Sequence, residues 1–464
     1  MPIMMSPDDS VIAPVLPAPV PRRGRMPFFE FFRTLRDNMV ATYGEEAYER
    51  DIIERTMLGR RRFLVNEPAA IKHVLLDNAA NYRKTEITRR ILEPGLGKGL
   101  ITSEGETWRQ HRRTMSPSFD HRSIASYAPV MTGAARELLT AWDGLAADTP
   151  VEVGTAMMEV TLTIISRTMF SSDSDRMVAI MERSAGRYQA QMRPNVMDFL
   201  GFPAWLAGLG RLRVADRTLG EFDAEIDRLI TLRSRNPQSG PKDLLARLIA
   251  ARDDQTGIGM TAQEVRDHVI TIFMAGHETT AMAMTWIWYL LSQHAAVEAK
   301  LHAELDAVLG GRAPDSQDLA KLAYTRMVIE ESMRLYPPVH TIAREALADD
   351  TLAGLRVPKG SAVLISPWVL HRHRRLWRDP GRFVPERFSP EQAAAHARFS
   401  YLPFGGGRRI CIGAAFAMAE ATLLLATIAQ RFRLRLLSGH PVEPQGLITL
   451  RPRHGMKMLL ERRE

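Results

Sequence analysis

The chain has 464 residues, 45% of them hydrophobic and 25% charged, which is ordinary for a globular protein with a sizeable core. A single cysteine excludes an internal disulfide framework and fits a reducing compartment, so we expect a cytoplasmic protein. The formal net charge of +8 comes from scattered basic residues without interleaved aromatics, which disfavours a nucleic-acid partner and favours docking of an acidic protein.

The N-terminal stretch is rich in proline from Val11 to Pro21 and ends in the basic run Arg22-Arg23-Gly24-Arg25. Its prolines and its short apolar length do not make a membrane span, which needs about 20 apolar residues, and no small-residue cleavage site follows a basic start. We therefore predict a disordered tail over residues 1–25 without a membrane anchor. A single domain over residues 26–464 is expected to follow.

The body of the chain reads as mainly helical. From Leu64 to about Ser234 the apolar residues recur at helical spacing, interrupted by proline and glycine. Between Ala343 and Val369, glycines and a proline separate short β-type runs such as Ser361–Ile365. The predicted fold class is mainly α with small β-sheets.

A short helix is predicted around Trp108-Arg-Gln-His-Arg112, where an aromatic donor and a cation stand four residues apart on one face. From the residues alone, an amphipathic surface helix explains this pattern equally well. Further along, Glu331-Ser-Met-Arg334 puts opposite charges three residues apart. On most helices such a pair is solvated and contributes only about 0.2–0.5 kcal/mol.

Thr261-Ala-Gln-Glu264 has the pattern of a capping box and predicts a long helix that continues to about Gln293. Its middle, Ala275-Gly-His-Glu-Thr-Thr280, is polar and weak, because a glycine costs about 1 kcal/mol relative to alanine and threonines are poor helix formers. Two interpretations stay open. Gly276 admits a close helix crossing while threonine hydroxyls bond back to their own helix, or this turn serves a function. We interpret His277 and Thr280 as structural neighbours.

The glycine-rich loop Phe404-Gly-Gly-Gly-Arg-Arg-Ile-Cys-Ile-Gly413 runs directly into an alanine-rich helix. Helix-start amides and basic neighbours favour a thiolate, so Cys411 is a candidate metal ligand. The glycines permit strained turns and a close approach to a flat ligand, and Arg409 can pair with an acidic edge of that ligand. A zinc site is disfavoured because no second cysteine and no nearby histidine pair is present. A buried structural thiol is the alternative.

This loop resembles the haem-binding motif of the cytochrome P450 family. The family pattern is Phe-x-x-Gly-x-Arg-x-Cys-x-Gly, and the chain fills each fixed position with Phe404, Gly407, Arg409, Cys411 and Gly413. The resemblance covers almost the whole chain from about residue 25 and implies the cytochrome P450 fold, with a long central helix crossing the haem. It also implies haem b (iron protoporphyrin IX) as the cofactor, Cys411 as the axial iron ligand, and Arg409 as a partner of a haem propionate.

The polar turn of the central helix is similar to the family's Ala/Gly-Gly-x-Asp/Glu-Thr pattern. The resemblance implies that Gly276 leaves room for dioxygen and that Glu278 and Thr279 bring protons to it. Trp108 and Arg112 are implied to reach a propionate.

Arg344 aligns with another propionate-pairing position of the family. The resemblance also implies a buried charged triad that braces the segment before the cysteine loop, formed by Glu331, Arg334 and Arg387.

The resemblance implies a haem-thiolate monooxygenase that inserts one atom of dioxygen into a lipophilic small molecule, by hydroxylation or epoxidation. The chain has no flavin or nicotinamide fingerprint, so a separate ferredoxin or flavodoxin with its reductase is implied as the electron source. Candidates for docking that donor are Arg109, Arg113 and Arg408. A peroxide-using or isomerising haem-thiolate enzyme and a non-catalytic haem sensor or carrier are the alternatives. The pair Glu278 and Thr279 favours the monooxygenase over both.

The resemblance also predicts the walls of the substrate pocket. They comprise Tyr82–Ile101, Phe199–Leu209, the central helix near Phe273 and Ala275, and Val339–Ala343. These residues are largely apolar or small, which suits a fatty-acid, terpenoid or aromatic-sized ligand.

Overall fold

The computed structural model describes residues 16–57, 59–146, 148–180, 204–235 and 242–463, except for the side chains of residues 172 and 204–219. Helices dominate this part of the chain, and the predicted fold class is confirmed. The helices are Phe28–Asp37, Pro68–Lys72, Glu86–Leu96, Gly105–Met115, His121–Asp143, Val153–Phe170, Ala204–Arg235, Leu244–Ala250, Ala262–Gln293, Ala295–Leu309, Ala323–Leu335, Pro367–Leu370, Pro390–Ala393 and Ala414–Ala429. Across the described ranges, no helix has both the length and the apolar character that crossing a membrane requires.

The strands form small sheets at the edges of the helical body. One sheet has five strands, in the order Ile52–Met57, Arg60–Val65, Ala362–Ile365, Ile342–Ala346 and Tyr82–Arg83. Its second and third strands are parallel, with Phe63 opposite Val363, and its other pairs are antiparallel. A second, antiparallel sheet has three strands, in the order Val151–Glu152, Lys457–Arg462 and Phe432–Leu436. Two antiparallel hairpins complete the β-structure, Asp350–Leu352 with Leu355–Val357 and Pro444–Gly446 with Leu450–Pro452.

The long helix Ala262–Gln293, called the central helix below, begins and ends where the sequence predicts. The Glu264 N–H donates to the Thr261 hydroxyl at 3.2 Å, and the Thr261 N–H donates to the Glu264 carboxylate at 2.8 Å, which completes the capping box. At 1.5 Å per residue the helix is about 48 Å long. It therefore reaches from one side of the domain to the other.

The hydrophobic core gathers around the central helix. Trp286 and Trp288 in its second half are fully buried, among side chains of the helices His121–Asp143 and Ala414–Ala429. Its first half packs along Val153–Phe170. A helix that is apolar on all sides must be covered on all sides, so the surrounding helices fix its position and present its polar turn to the interior.

The structure describes part of the segment predicted as a tail. The Tyr336 hydroxyl donates to the carbonyl oxygen of Pro17 at 3.0 Å, and Arg22 forms a β-bridge with Gly44. These contacts tie the segment from residue 16 to the body, while residues 1–15 lie outside the described chain. The boundary at residue 25 stays a prediction.

The charged triad is confirmed. Arg334 donates to both carboxylate oxygens of Glu331, at 2.6 and 2.7 Å, and the Nε atom of Arg387 lies 3.4 Å from Glu331 Oε1. Glu331 and Arg334 are fully buried. Arg334 also donates to the carbonyl oxygens of Pro380 and Arg382, so the triad fixes the segment that precedes the cysteine loop.

Candidate active site

A cavity of about 1360 Å³ lies beside the middle of the central helix. Its walls include residues of the loop Phe404–Gly413, the polar turn Ala275–Thr280 and the segment Pro338–Glu345. The helix Glu86–Leu96 adds apolar side chains. The fold thus brings motifs that lie more than a hundred residues apart in the sequence to one site.

The cysteine loop holds Cys411 in the cavity wall. The Cys411 N–H donates to the carbonyl oxygen of Phe404 at 3.0 Å, and the exposed surface of the thiol opens into the cavity. Burial raises the pKa of the Cys411 thiol, whereas the Gly413 N–H and the Arg112 charge lower it by less. These neighbours therefore favour a thiolate, as expected, but the hydration lost on burial outweighs them and the pKa is raised. A metal ion on the sulfur would reverse this balance, since a coordinating thiol is deprotonated.

The glycines of the loop differ in what they do. Gly405 and Gly407 have φ angles of +70° and +66°, in the left-handed region that favours glycine. A Cβ atom on Gly407 would lie 1.9 Å from the carbonyl oxygen of Leu75, so the loop depends on this close approach. A Cβ atom on Gly413 would meet the Cys411 sulfur at 3.9 Å, an ordinary contact. Close packing against a neighbouring segment of the chain thus requires glycine at Gly407 and not at Gly413.

Replacing Gly407 by alanine should destabilise the loop by at least the left-handed backbone strain, about 1–3 kcal/mol, because the methyl group also overlaps the Leu75 carbonyl. The measurement is the urea midpoint of unfolding together with the haem content of the purified protein. Gly413→Ala is the matched control and should change the midpoint much less. Equal midpoints for the two variants would contradict the role given to the Leu75 contact.

Partly buried cations gather on one side of the cavity. Arg344, Arg409 and Lys84 all line it and lie close enough to repel one another. Burial, followed by the charge of Arg409, lowers the pKa of Arg344 to about 10. Burial, followed by the charges of Arg409 and Arg344, lowers the pKa of Lys84 to about 7. Desolvated like charges are costly unless they are paired, so this wall is suited to an anionic ligand.

Two of the predicted propionate partners lie on the same helix face. Trp108 is buried, and the guanidinium of Arg409 lies over its ring at 4.3 Å from the centroid. Arg112 lines the cavity near Cys411, and burial lowers its pKa. Arg409 donates to the Ser103 carbonyl at 3.1 Å and forms an ion pair with Glu104.

The polar turn of the central helix places Glu278 and Thr279 in the cavity wall. The Thr279 hydroxyl donates to the Ala275 carbonyl at 2.9 Å. The Glu278 carboxylate accepts hydrogen bonds from Thr449 at 2.6 Å and from Arg451 at 2.7 Å. Both residues of the pair therefore reach the cavity, each held by a partner of its own.

The alternative explanation of this turn, a close helix crossing with threonine hydroxyls bonded to their own helix, is also supported in part. A Cβ atom on Gly276 would meet the Ile165 side chain at 3.2 Å, so the glycine admits a close helix crossing while it also lines the cavity. The Thr280 hydroxyl bonds back to the Gly276 carbonyl at 3.3 Å, and His277 Nδ1 lies 2.8 Å from the Phe273 carbonyl oxygen. His277 and Thr280 thus have the structural contacts that we predicted.

The predicted pocket walls are confirmed in part. Val339–Ala343, Ala275 and half of the residues of Tyr82–Ile101 line the cavity. The central helix near Phe273 also lines it, through Thr271, Ile272 and Met274, whereas Phe273 itself packs in the core against Phe170 and Phe222. The predicted segment 199–209 lies outside the residues whose side chains the structure describes.

Sequence reasoning missed four side chains at this site. They are Lys84, Glu104, Thr449 and Arg451. Each is a common residue type in a stretch without a distinctive pattern, and each acquires its role from a partner distant in the chain. Only Lys84 fell within a segment predicted to line the pocket.

The fold and the site together define a class of enzyme. In this class a single thiol faces a large and mostly apolar cavity, and a long helix places an acid and an alcohol side chain in the wall of the same cavity. The chain belongs to the cytochrome P450 family, whose model matches residues 14–458. It is therefore a haem-iron monooxygenase that uses dioxygen and a redox partner to oxidise an organic substrate.

The chain is similar to several members of the family. It is 40% identical to cyclooctatin synthase of Streptomyces melanosporofaciens, over 86% of each chain. It is 35% identical to cyclooctat-9-en-7-ol 5-monooxygenase of the same organism, over 84% of this chain and 83% of that one. The crystal structure of the cytochrome P450DA heme domain matches its fold with a TM-score of 0.82 at 24% identity, covering 97% of this chain and 99% of that one.

The residues around the cavity fit a haem. A haem presents a flat apolar ring, two propionates and an iron that takes an axial ligand. The cavity offers a thiol for the iron, the partly buried cations Lys84, Arg344 and Arg409 for the propionates, and apolar walls for the ring. Glu104 is the acidic partner of Arg409, so three cations face one carboxylate, and this excess of positive charge in the wall supports the fit to an anionic ligand.

Proposed function

We propose that this protein is a haem-thiolate monooxygenase that hydroxylates or epoxidises a lipophilic, terpenoid-sized molecule, with haem b held by Cys411. One atom of dioxygen enters the substrate and the other leaves as water, which consumes two electrons and two protons. The observation that carries the proposal is the shared cavity. The only thiol of the chain, the partly buried cations and the pair Glu278 and Thr279 all open onto it.

The cofactor's binding is assigned residue by residue. Cys411 is the axial ligand, while Arg409 and Arg344 hold the propionates together with Arg112 and Trp108. Phe404, Gly407 and Gly413 shape the loop that presents the sulfur. When bound, the haem supplies the oxidising chemistry, which a thiolate ligand promotes by favouring O–O cleavage.

Proton supply is assigned to the central helix. A protonated or proton-relaying group within hydrogen-bond reach is needed wherever oxygen is reduced to water. The Thr279 hydroxyl lines the cavity and can donate there once it leaves the Ala275 carbonyl. Glu278 lies next to it and is in contact with Arg451, whose side chain is 30% exposed, so solvent protons can reach this position.

The proposed source of the electrons is a separate ferredoxin or flavodoxin with its reductase. The proposed location of the protein is the cytoplasm. Arg408 and Arg109 are exposed, and the ion pair of Arg109 with Glu106 at 2.8 Å lies in solvent, so both can meet an acidic donor. Arg113 is less available, because it is drawn into an ion pair with Asp253 at 2.8 Å. The docking surface is therefore proposed around Arg408 and Arg109.

The proposed substrate class rests on the cavity and on the relatives. Apolar residues of the cavity wall include Ile87, Leu92, Ile101, Val339 and Ile342. The name of one relative states an unsaturated alcohol, cyclooctat-9-en-7-ol, as the compound that it oxidises. A mostly apolar cavity with few polar groups selects such molecules by shape and burial.

The proposal is tested by spectroscopy and turnover. The reduced, carbon-monoxide-bound protein should show a thiolate-type spectrum. A screen of hydrocarbons and their alcohols should find compounds that shift the haem absorption band, and these should be oxidised when NADPH and surrogate redox partners are added. A nitrogen-type spectrum would refute the ligand assignment, and spectral binding without any NADPH-dependent product would favour a carrier.

Thr279→Ala should keep haem binding but release more hydrogen peroxide per NADPH, because a proton donor at the oxygen site is lost. Proton transfer of this kind is worth about 10²–10⁴-fold in rate, so the peroxide yield should rise several-fold. Thr285→Ala is the matched control, since Thr285 also bonds back to its helix, at 2.7 Å, but is buried outside the cavity. Equal coupling in both variants would remove Thr279 from the mechanism.

A further inference from the structure

The Glu278 carboxylate is held by the C-terminal hairpin, residues 444–452. Thr449 and Arg451 donate to the same oxygen, Oε1, at 2.6 and 2.7 Å. The side chain of Glu278 is 10% exposed and that of Arg451 is 30% exposed, so the ion pair lies at the boundary between interior and solvent. Two short hydrogen bonds on one oxygen fix the carboxylate in one orientation.

The hairpin presents these donors from a rigid position. The Leu450 N–H donates to the Pro338 carbonyl at 2.9 Å, and the indole N–H of Trp286 donates to the Leu450 carbonyl at 3.1 Å. A ring nitrogen of His340 lies 2.8 Å from the carbonyl oxygen of Leu447. Thr449 and Arg451 are therefore anchored to the central helix and to the segment after Leu335 at the same time.

The same hairpin forms part of the substrate wall. Leu447, Ile448 and Thr449 all line the cavity. Thr449 is buried, and its hydroxyl can both donate and accept, so it can pass a proton between the Glu278 carboxylate and the cavity. Arg451 marks the side from which solvent reaches that carboxylate.

We propose that Arg451 and Thr449 are positioning residues for Glu278, which fix its carboxylate between solvent and the cavity and thereby set the rate of proton delivery. The inference rests on the proposed function, because it takes Glu278 as the proton carrier. The inference adds that the hairpin, which lines the substrate cavity, also orients the Glu278 carboxylate. The fit of a substrate against Leu447 and Ile448 is therefore expected to affect how much of the reduced oxygen is released as hydrogen peroxide.

The first measurement tests whether Thr449 and Arg451 hydrogen-bond the Glu278 carboxylate, in the haem-loaded full-length protein without substrate. The infrared carboxylate band of Glu278 is assigned by subtracting the spectrum of Glu278→Gln. Arg451→Gln and Thr449→Val should each shift this band, because each removes a hydrogen bond from Oε1. Arg453→Gln is the matched control, since Arg453 pairs with Asp37 and Glu443 and should leave the band unchanged. An unshifted band in both test variants would show that these residues do not position Glu278 and would overturn the inference.

The second measurement tests proton delivery, with NADPH, surrogate ferredoxin and reductase, and cyclooctat-9-en-7-ol as the probe, beside a reaction without it. Arg451→Gln and Thr449→Val should raise peroxide released per NADPH roughly threefold or more and increase the solvent deuterium isotope effect, because proton transfer becomes rate-limiting. Arg451→Lys and Thr449→Ser should restore part of the coupling, and Arg453→Gln should behave as the unmodified protein.

The outcomes separate this inference from the proposed function. Wild-type peroxide yield and isotope effect in Arg451→Gln, together with a shifted band, would show that the hairpin orients Glu278 without setting proton delivery, and would overturn the inference. If Thr279→Ala uncouples while the hairpin variants do not, the inference alone fails. If Thr279→Ala also leaves coupling unchanged, the proposed proton path fails as a whole.

Discussion

Replacing Cys411 by alanine should abolish both the thiolate-type spectrum and NADPH-dependent oxidation, because it removes the only thiol of the chain. Burial raises the pKa of this thiol, so the surroundings of the sulfur work against the thiolate. The sulfur is therefore expected to become a good ligand only together with the iron, whose charge favours the deprotonated form. Activity should fall to the background of the assay. The checks are the reduced, carbon-monoxide-bound spectrum and product formation from the same preparation.

The matched variant is Cys411→His, which restores an iron ligand but replaces sulfur by nitrogen. It should retain more haem than Cys411→Ala and still lack the thiolate-type spectrum, since the identity of the ligand and not mere occupancy sets the spectrum. Both variants should fold, because the thiol opens into the cavity and truncating it leaves no hole in the core. A thiolate-type spectrum in either variant would refute the assignment of Cys411.

Local signals in the sequence were sufficient for the fold class and for the elements that carry the candidate site. The capping box at Thr261 and the uninterrupted apolar run to Gln293 gave both ends of the central helix, because a cap and a helical period are read from neighbouring residues. The cysteine loop was equally accessible, since its glycines, Arg409 and Cys411 lie within ten residues.

Contacts between distant parts of the chain were not accessible in this way. Arg451 lies 173 residues from Glu278, and Glu104 lies 305 residues from Arg409. Neither pair has a spacing that could reveal it. The same limit explains why the sequence did not show that Phe273 itself faces the core while its neighbours on the central helix line the cavity.

The charged triad shows how a resemblance can add to local reasoning. The spacing of Glu331 and Arg334 alone predicts a weak surface pair. In the structure both side chains are fully buried, and Arg334 donates to the carbonyl oxygens of His371, Pro380 and Arg382 as well as to Glu331. Burial and these added acceptors, and not the spacing, make the pair important.

Arg334→Ala should destabilise the protein by about 3–5 kcal/mol, because it leaves the Glu331 carboxylate buried without its main partner. The carbonyl oxygens that Arg334 binds would also lose a donor, so the segment before the cysteine loop should loosen and haem content should fall. Chemical denaturation of the haem-loaded protein measures the first effect. Haem absorbance relative to protein concentration measures the second.

Arg326→Ala is the matched control on the same helix. Arg326 is exposed and pairs with Glu330 four residues on, at 3.2 Å, so its loss should change the free energy of unfolding by less than about 0.5 kcal/mol. Should Arg334→Ala fail to fold, Arg334→Lys keeps the charge but not the planar fork, and its unfolding can be measured with an intermediate loss expected. If Arg334→Lys and Arg326→Ala are equally stable, the buried guanidinium does not brace the haem loop.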